Sequence, residues 1–306
     1  DHDSGNPLDP DDDEKQPAIA DNVVNIDREG ASLSDSSGGV FTFTVEDKKP
    51  NIEIGSILVS GEGTGYLRKV TLVDQDGNQI RCHTEQAALN EAIINGSMDT
   101  TMTLSLSDPD FKLRKRMQGV HVKGDIISLE GVVLYEGTYN GIDLQVILKS
   151  GKVSFTPELN INFEIENSEL STFETYVTGN LKYDCDVEIN SSSEFFSFEK
   201  EIELYSMSKM YVQFIHAVPV VEVVTLSFYA GCQAGSSIGG KVGYGFSYNT
   251  EMKYGAKYEA TTKTWTPISE YEKDIVSNGI NWQTQTSANA KVYVRPQISV
   301  ELYAIA

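Results

Sequence analysis

The stretch SGEGTGYLRKV places glycines at 61, 63 and 65, the residue type that lets a backbone wrap around a phosphate. A phosphate-cradling loop requires G-x-G-x-x-G or a closing GK[ST], and it runs from a strand into a helix whose first N–H groups face the anion. Neither spacing is present, and these glycines lead into YLRKVTLV, which has the composition of a strand. Asp76-Gly77 then reverses the chain and IRCHT returns, so the segment reads as a hairpin preceded by a glycine-permitted loop.

The remaining reactive side chains are scattered. His2, His83, His121 and His216 share no spacing of two or four residues, so no two form a local metal pair. His83 adjoins Cys82, but neighbours on a strand point to opposite faces. Cys82, Cys185 and Cys232 fit no zinc spacing and read either as buried thiols or as one disulfide with a thiol left over. No metal site and no cofactor are expected. There is no G-x-S-x-G elbow. Carboxylates recur at alternate positions, Asp184, Asp186 and Glu188, then Glu199, Glu201 and Glu203. Acids two apart on a strand stand side by side and favour water, so they describe a solvated face, and no catalytic residue is assigned.

The carboxy-terminal third concentrates glycine, tyrosine and tryptophan. Tyr244, Tyr248, Tyr254, Trp265 and Trp282 are the candidate binding residues, because these rings combine large apolar area with a polar edge. The competing explanation is cross-strand aromatic packing relieved by glycine at bends.

These residues must be positioned by strands. Phe41, Phe43 and Val45 alternate with Thr42, Thr44 and Glu46; Leu159, Ile161, Phe163 and Ile165 alternate with Asn160, Asn162, Glu164 and Glu166. Tyr183, Cys185, Val187 and Ile189 alternate with the acids of 184–188. A period of two with one apolar face describes antiparallel sheets with one side on a core. The fold class is therefore all-β: a small amino-terminal β-rich domain with one short helix, then a larger antiparallel β-sandwich or extended twisted sheet. Thr84 is the candidate cap of that helix, placed near residues 84–95 with Gly96 as its stop. Ser150-Gly151, between two alternating runs, suits a tight hairpin turn.

The expected organisation is an acidic tether over residues 1–21, the small domain over 22–108, a linker over 109–124 and the large domain over 125–306. The linker carries the one basic cluster, Lys112, Arg114, Lys115 and Arg116, either a docking patch for an acidic surface, or an interdomain salt-bridge patch or solvated loop. The tether sets Asp1, Asp3, Asp9, Asp11, Asp12, Asp13 and Glu14 against Lys15 alone, and Pro7, Pro10 and Pro17 interrupt it. Over the 306 residues, 45 acids against 24 bases give a formal charge of -21, which repels nucleic acid and anionic lipid.

An acidic, proline-broken tether leading into an all-β body resembles the mature start of a Bacteroidetes surface lipoprotein, just after its lipidated cysteine. That cysteine is not in this sequence. The resemblance implies export to the extracellular or outer-membrane surface, with membrane attachment only through a lipid anchor outside this sequence. The expected role is a cell-surface or secreted binding or structural protein, an adhesin-like or scaffold module engaging protein or glycan. One alternative is a carbohydrate-active enzyme, which requires a cleft with two carboxyl groups about 5–9.5 Å apart beside exposed aromatics. A second is an envelope assembly or secretion partner, which requires an unpaired sheet edge.

Overall fold

The computed structural model describes residues 17–46, 49–193, 197–235, 240–271, 274–276, 280–282 and 289–303. The first strands are β1 (Ala18–Ile19), β2 (Val23–Asn25), β3 (Ala31–Ser37), β4 (Val40–Val45) and β5 (Ile57–Ser60). They are followed by β6 (Tyr66–Asp76), β7 (Gln79–Gln86), a single helical turn α1 (Leu89–Ala92) and β8 (Ile93–Thr103). Then come β9 (Lys112–Arg116), β10 (Val120–Lys123), β11 (Ile126–Tyr139), β12 (Ile142–Glu166) and β13 (Glu169–Ser191). The chain continues through β14 (Ser197–Ile215), β15 (Val218–Gly235), β16 (Gly240–Glu259) and β17 (Thr264–Tyr271). It closes with β18 (Asp274–Val276), β19 (Ile280–Trp282) and β20 (Asn289–Leu302).

The fold is all-β, as the alternating sequence requires. One sheet has the order β2-β5-β6-β7-β4-β3, with β2 parallel to β5 and the other neighbours antiparallel. A second has the order β20-β15-β14-β9. The largest follows β1-β8-β12-β13-β16-β17, with β10 and β11 beside the first half of β12 and β18 and β19 along β16. The first sheet spans residues of the expected small domain, while α1 leads directly into β8 of the largest sheet.

The largest and the four-stranded sheets face each other as a sandwich. Val146, Phe155 and Cys185 on one side share a core with Met207, Leu226, Phe228 and Val294 on the other. Phe155 and Phe228 meet edge to face at 6.1 Å, and full burial of each ring contributes about 2–3 kcal/mol. A second core joins all three sheets, with Ile57, Val59 and Leu67 packed among Ile93, Leu159, Phe163, Val218, Val221 and Val224. Phe41, Phe43, Leu58, Val70, Ile80 and Cys82 fill the small sheet itself.

Ser150-Gly151 is not a hairpin turn. Strand β12 runs through it for 25 residues, and the register against β13 shifts between Leu148↔Val187 and Ser150↔Asp186. Lys149 is the extra residue of a β-bulge. Before it the even positions 144, 146 and 148 are buried; after it the odd positions 153 to 165 are. The extra residue changes the parity of the apolar positions in sequence while Val146, Leu148, Val153 and Phe155 stay on one core, so the pattern changes phase without any reversal of the chain. Gly151 is required there, since a β-carbon would lie 2.8 Å from Cys185 Sγ.

The helix expected near 84–95 also contracts. Thr84 lies within β7, where its hydroxyl bonds Gly39 O at 2.9 Å and accepts from Arg68 Nε at 3.0 Å. Only Leu89–Ala92 turns, held by the Ala88 N–H donating to Glu91 Oε2 at 2.8 Å. The β-branched Ile93 and Ile94 then extend into β8, which pairs with β1 and β12. Within the expected linker, Lys112–Arg116 forms β9 on the edge of the four-stranded sheet.

The glycine loop is a packing device. Asp27 fixes its start by accepting from Ser60 Oγ at 2.5 Å and Gly61 N at 2.7 Å, so that backbone donor is already committed. The Asp76-Gly77 reversal closes β6 onto β7 with Asp76 paired to Gln79 and Gly77 at φ 59°. Nearby, the tip of the β14–β15 hairpin is gripped from two sides. Asn25 Nδ2 donates to Ala217 O at 2.7 Å, and His216 Nε2 lies 2.6 Å from Pro17 O.

Candidate binding face

Strands β12, β13, β16 and β17 are in antiparallel register, and their alternation carries one set of side chains onto a common face. A row crosses five strands there: Met98 opposite Phe163, then Phe173, Tyr258 and Trp265. Exposure rises along the row. Met98 and Phe163 are buried, Phe173 and Tyr258 are half-buried, and Trp265 is 55% exposed. The rings touch in sequence. Phe163 stacks on Phe173 at 6.1 Å and 11°, Phe173 meets Trp265 at 5.3 Å and 67°, and Tyr258 meets Trp265 at 5.4 Å and 53°. The neighbouring rows pair Val177 with Tyr254, 42% exposed, and Thr175 with Ala256, which faces Pro267.

The second core therefore extends outward into an aromatic face. Phe173 and Val177 still pack against it, while Tyr254, Trp265 and Pro267 are exposed to solvent. Across the sheet, Lys253 Nζ lies 4.2 Å from the centre of the Tyr176 ring, and Tyr176 is paired with Gly255. A β-carbon on Gly255 would sit 2.0 Å from Thr175 O, so glycine allows this close approach between β13 and β16. The polar neighbours on that side include the Lys257–Glu259 pair at 3.7 Å.

Of the five candidate binding residues, Tyr254 and Trp265 are thus brought onto one exposed face. Tyr244 and Tyr248 lie on the other half of β16, paired with Val187 and Tyr183, and Trp282 pairs with Val242; these three side chains lie outside the described residues. Sequence reasoning missed Phe173, the ring that joins Trp265 to the buried core. Its signal was faint, one aromatic among the polar residues of STFET.

A separate cleft of about 590 Å³ lies where β11, β12 and β13 end, lined by Glu136, Thr138, Asp143, Gln145, Asn190 and Ser192, among others. Gln145 Nε2 donates to Glu136 Oε1 at 3.1 Å, Asn190 Nδ2 to Gln145 Oε1 at 3.2 Å, and Thr138 Oγ1 to Asp143 Oδ1 at 3.1 Å. Two carboxylates share this cleft, but no aromatic ring lines it. The acidic rows are largely engaged: Arg295 clasps Glu201 at 2.7 and 3.3 Å, Lys115 reaches Glu203 at 3.3 Å, and Ser150 Oγ donates to Asp186 at 2.7 Å. The Arg295 guanidinium holds the Glu201 carboxyl below its usual range.

All three thiols are buried and unpaired. Burial raises the Cys82 thiol to about 11 and those of Cys185 and Cys232 to about 12, which suits packing rather than nucleophilic chemistry. Among the described residues no group of histidine, cysteine and carboxylate side chains is arranged to hold a metal ion. Among the described residues Glu222 is the one buried carboxyl, and sequence reasoning passed it over, although VVEVV sets a lone charge in an apolar run. It is fully buried on β15, and neither oxygen meets hydrogen-bond geometry with a described group. Burial raises its carboxyl to about 7, with the Gln213 amide offsetting part of the rise.

No family model, no curated protein and no solved structure matches this chain.

Proposed function

We propose that the chain is a cell-surface binding module that captures a glycan on the face formed by Phe173, Tyr254, Tyr258 and Trp265. The carrying observation is the half-open row of rings. Trp265 is more than half exposed yet braced by Phe173 and Tyr258, so it offers a rigid apolar plane whose ordering entropy is already spent on folding. Sugar rings present C–H faces to such planes and hydroxyls to their polar rim. Thr175, paired with Ala256 between Phe173 and Val177, supplies a hydroxyl on the same face. The acidic tether would hold this module away from the envelope.

The test is a combined glycan and protein array probed with the wild-type chain and with Trp265→Ala. Glycan signal that falls in the variant supports the reading. Signal confined to protein spots moves the partner to polypeptide, and signal unchanged by the substitution places binding elsewhere.

A further inference from the structure

The four-stranded sheet ends on β9, whose five residues are all exposed. One edge of β9 pairs with β14 through Lys112↔Ser208, Leu113↔Met207, Lys115↔Ser206 and Arg116↔Tyr205. Its other edge has no strand beside it among the described residues. That edge presents main-chain N–H and C=O groups, and it does so within the one basic cluster of a chain whose formal charge is -21. Lys115 is satisfied by Glu203 at 3.3 Å, and Arg114 Nε donates to Ser208 Oγ at 2.8 Å. Lys112, Arg114 and Arg116 have no carboxylate at ion-pair distance among the described residues.

We infer that β9 is a docking edge for an acidic, extended polypeptide supplied by another molecule, which adds as a further strand of this sheet. Two independent features select that chemistry. The row of backbone groups is matched only by another strand, which a phosphate polymer or lipid headgroup does not provide. The cations select carboxylates over neutral or basic segments, and the acidic remainder of the surface is screened beyond about 8 Å at physiological salt.

The experiment is fluorescence anisotropy of the full chain with a labelled peptide alternating aspartate or glutamate with threonine or valine. Three further probes accompany it: the same peptide with lysine replacing the acids, the acidic peptide N-methylated at alternate backbone nitrogens, and phosphatidylglycerol vesicles. The acidic peptide is expected to bind. Binding should weaken roughly tenfold in Arg114→Glu/Arg116→Glu and also with the N-methylated peptide on the unaltered protein. Absence of binding, equal binding of the N-methylated peptide, or preference for the vesicles overturns the inference.

Discussion

Gly65 and Val221 touch where the small sheet meets the sandwich: a β-carbon on Gly65 would lie 2.3 Å from Val221 Cγ2, and Gly65 sits at φ +68°. The glycines at 61 and 65 thus serve contact between two parts of the fold. Gly61 makes the same approach less tightly, 3.1 Å from Val212 Cγ1 and 3.3 Å from Pro219 Cβ.

Gly65→Ala therefore combines left-handed backbone strain with overpacking, and the expected loss of unfolding free energy is about 2–4 kcal/mol. Adding Val221→Ala should return part of that loss, because it removes the clash but leaves the strain. Urea unfolding of both variants measures the coupling; strictly additive losses would contradict the contact.

The bulge at Lys149 separates two readings of one residue. Lys149→Ala removes only an ion pair with Glu188 at 3.8 Å from a half-exposed side chain, so stability should change by about 0.5 kcal/mol or less. Deleting Lys149 instead joins Leu148↔Val187 directly to Ser150↔Asp186 and makes the apolar alternation of β12 continuous, so the fold should be retained with a loss of about 1–2 kcal/mol from the altered register against β11. Circular dichroism and thermal melting of the two variants check this, and a deletion that abolishes the folded state would contradict the bulge.

Glu222 makes stability pH-dependent. Its carboxyl ionises near 4.5 in the unfolded chain and at about 7 in the folded one, so between these values the folded state holds the extra proton. The associated stability is fully present below about pH 4.5 and is lost as pH rises through 7, a change of about 3 kcal/mol. Tyr211 and Tyr303 are the titratable neighbours, both raised by burial, so they stay neutral across this window. Glu222→Gln should flatten the slope and stabilise the protein at pH 8. Denaturant titrations from pH 5 to 8 that leave wild type and variant parallel would contradict this account.

The strands were legible because half-buried antiparallel sheets print their two faces into the sequence, as at Phe41, Phe43 and Val45 or Tyr183 to Ile189. Less legible was whatever depends on distant partners. The phase change at Lys149 looks the same in sequence whether the chain bulges or reverses; only pairing with β13 decides it. Likewise Ala87, Ala88 and Leu89 favour helix locally, yet the strand partners on either side of α1 leave room for one turn. The aromatic richness of 254–265 was visible, but its exposure was not. Tyr258 and Trp265 have the same composition signal, and only the sheet beneath them makes one half-buried and the other open.

Trp265→Ala should alter stability by about 1 kcal/mol, since the ring is mostly exposed and forfeits chiefly its contacts with Phe173 and Tyr258. A melting-temperature fall much larger than this would make the ring a structural prop rather than a contact surface.

The most direct test titrates the strongest glycan from the array against wild type, Trp265→Ala, Tyr254→Ala and the double variant, with melting temperature followed alongside. The aromatic face predicts a Kd raised roughly tenfold in each single variant and further in the double, at nearly unchanged melting temperature. A Kd that stays at the wild-type value in the double variant contradicts it.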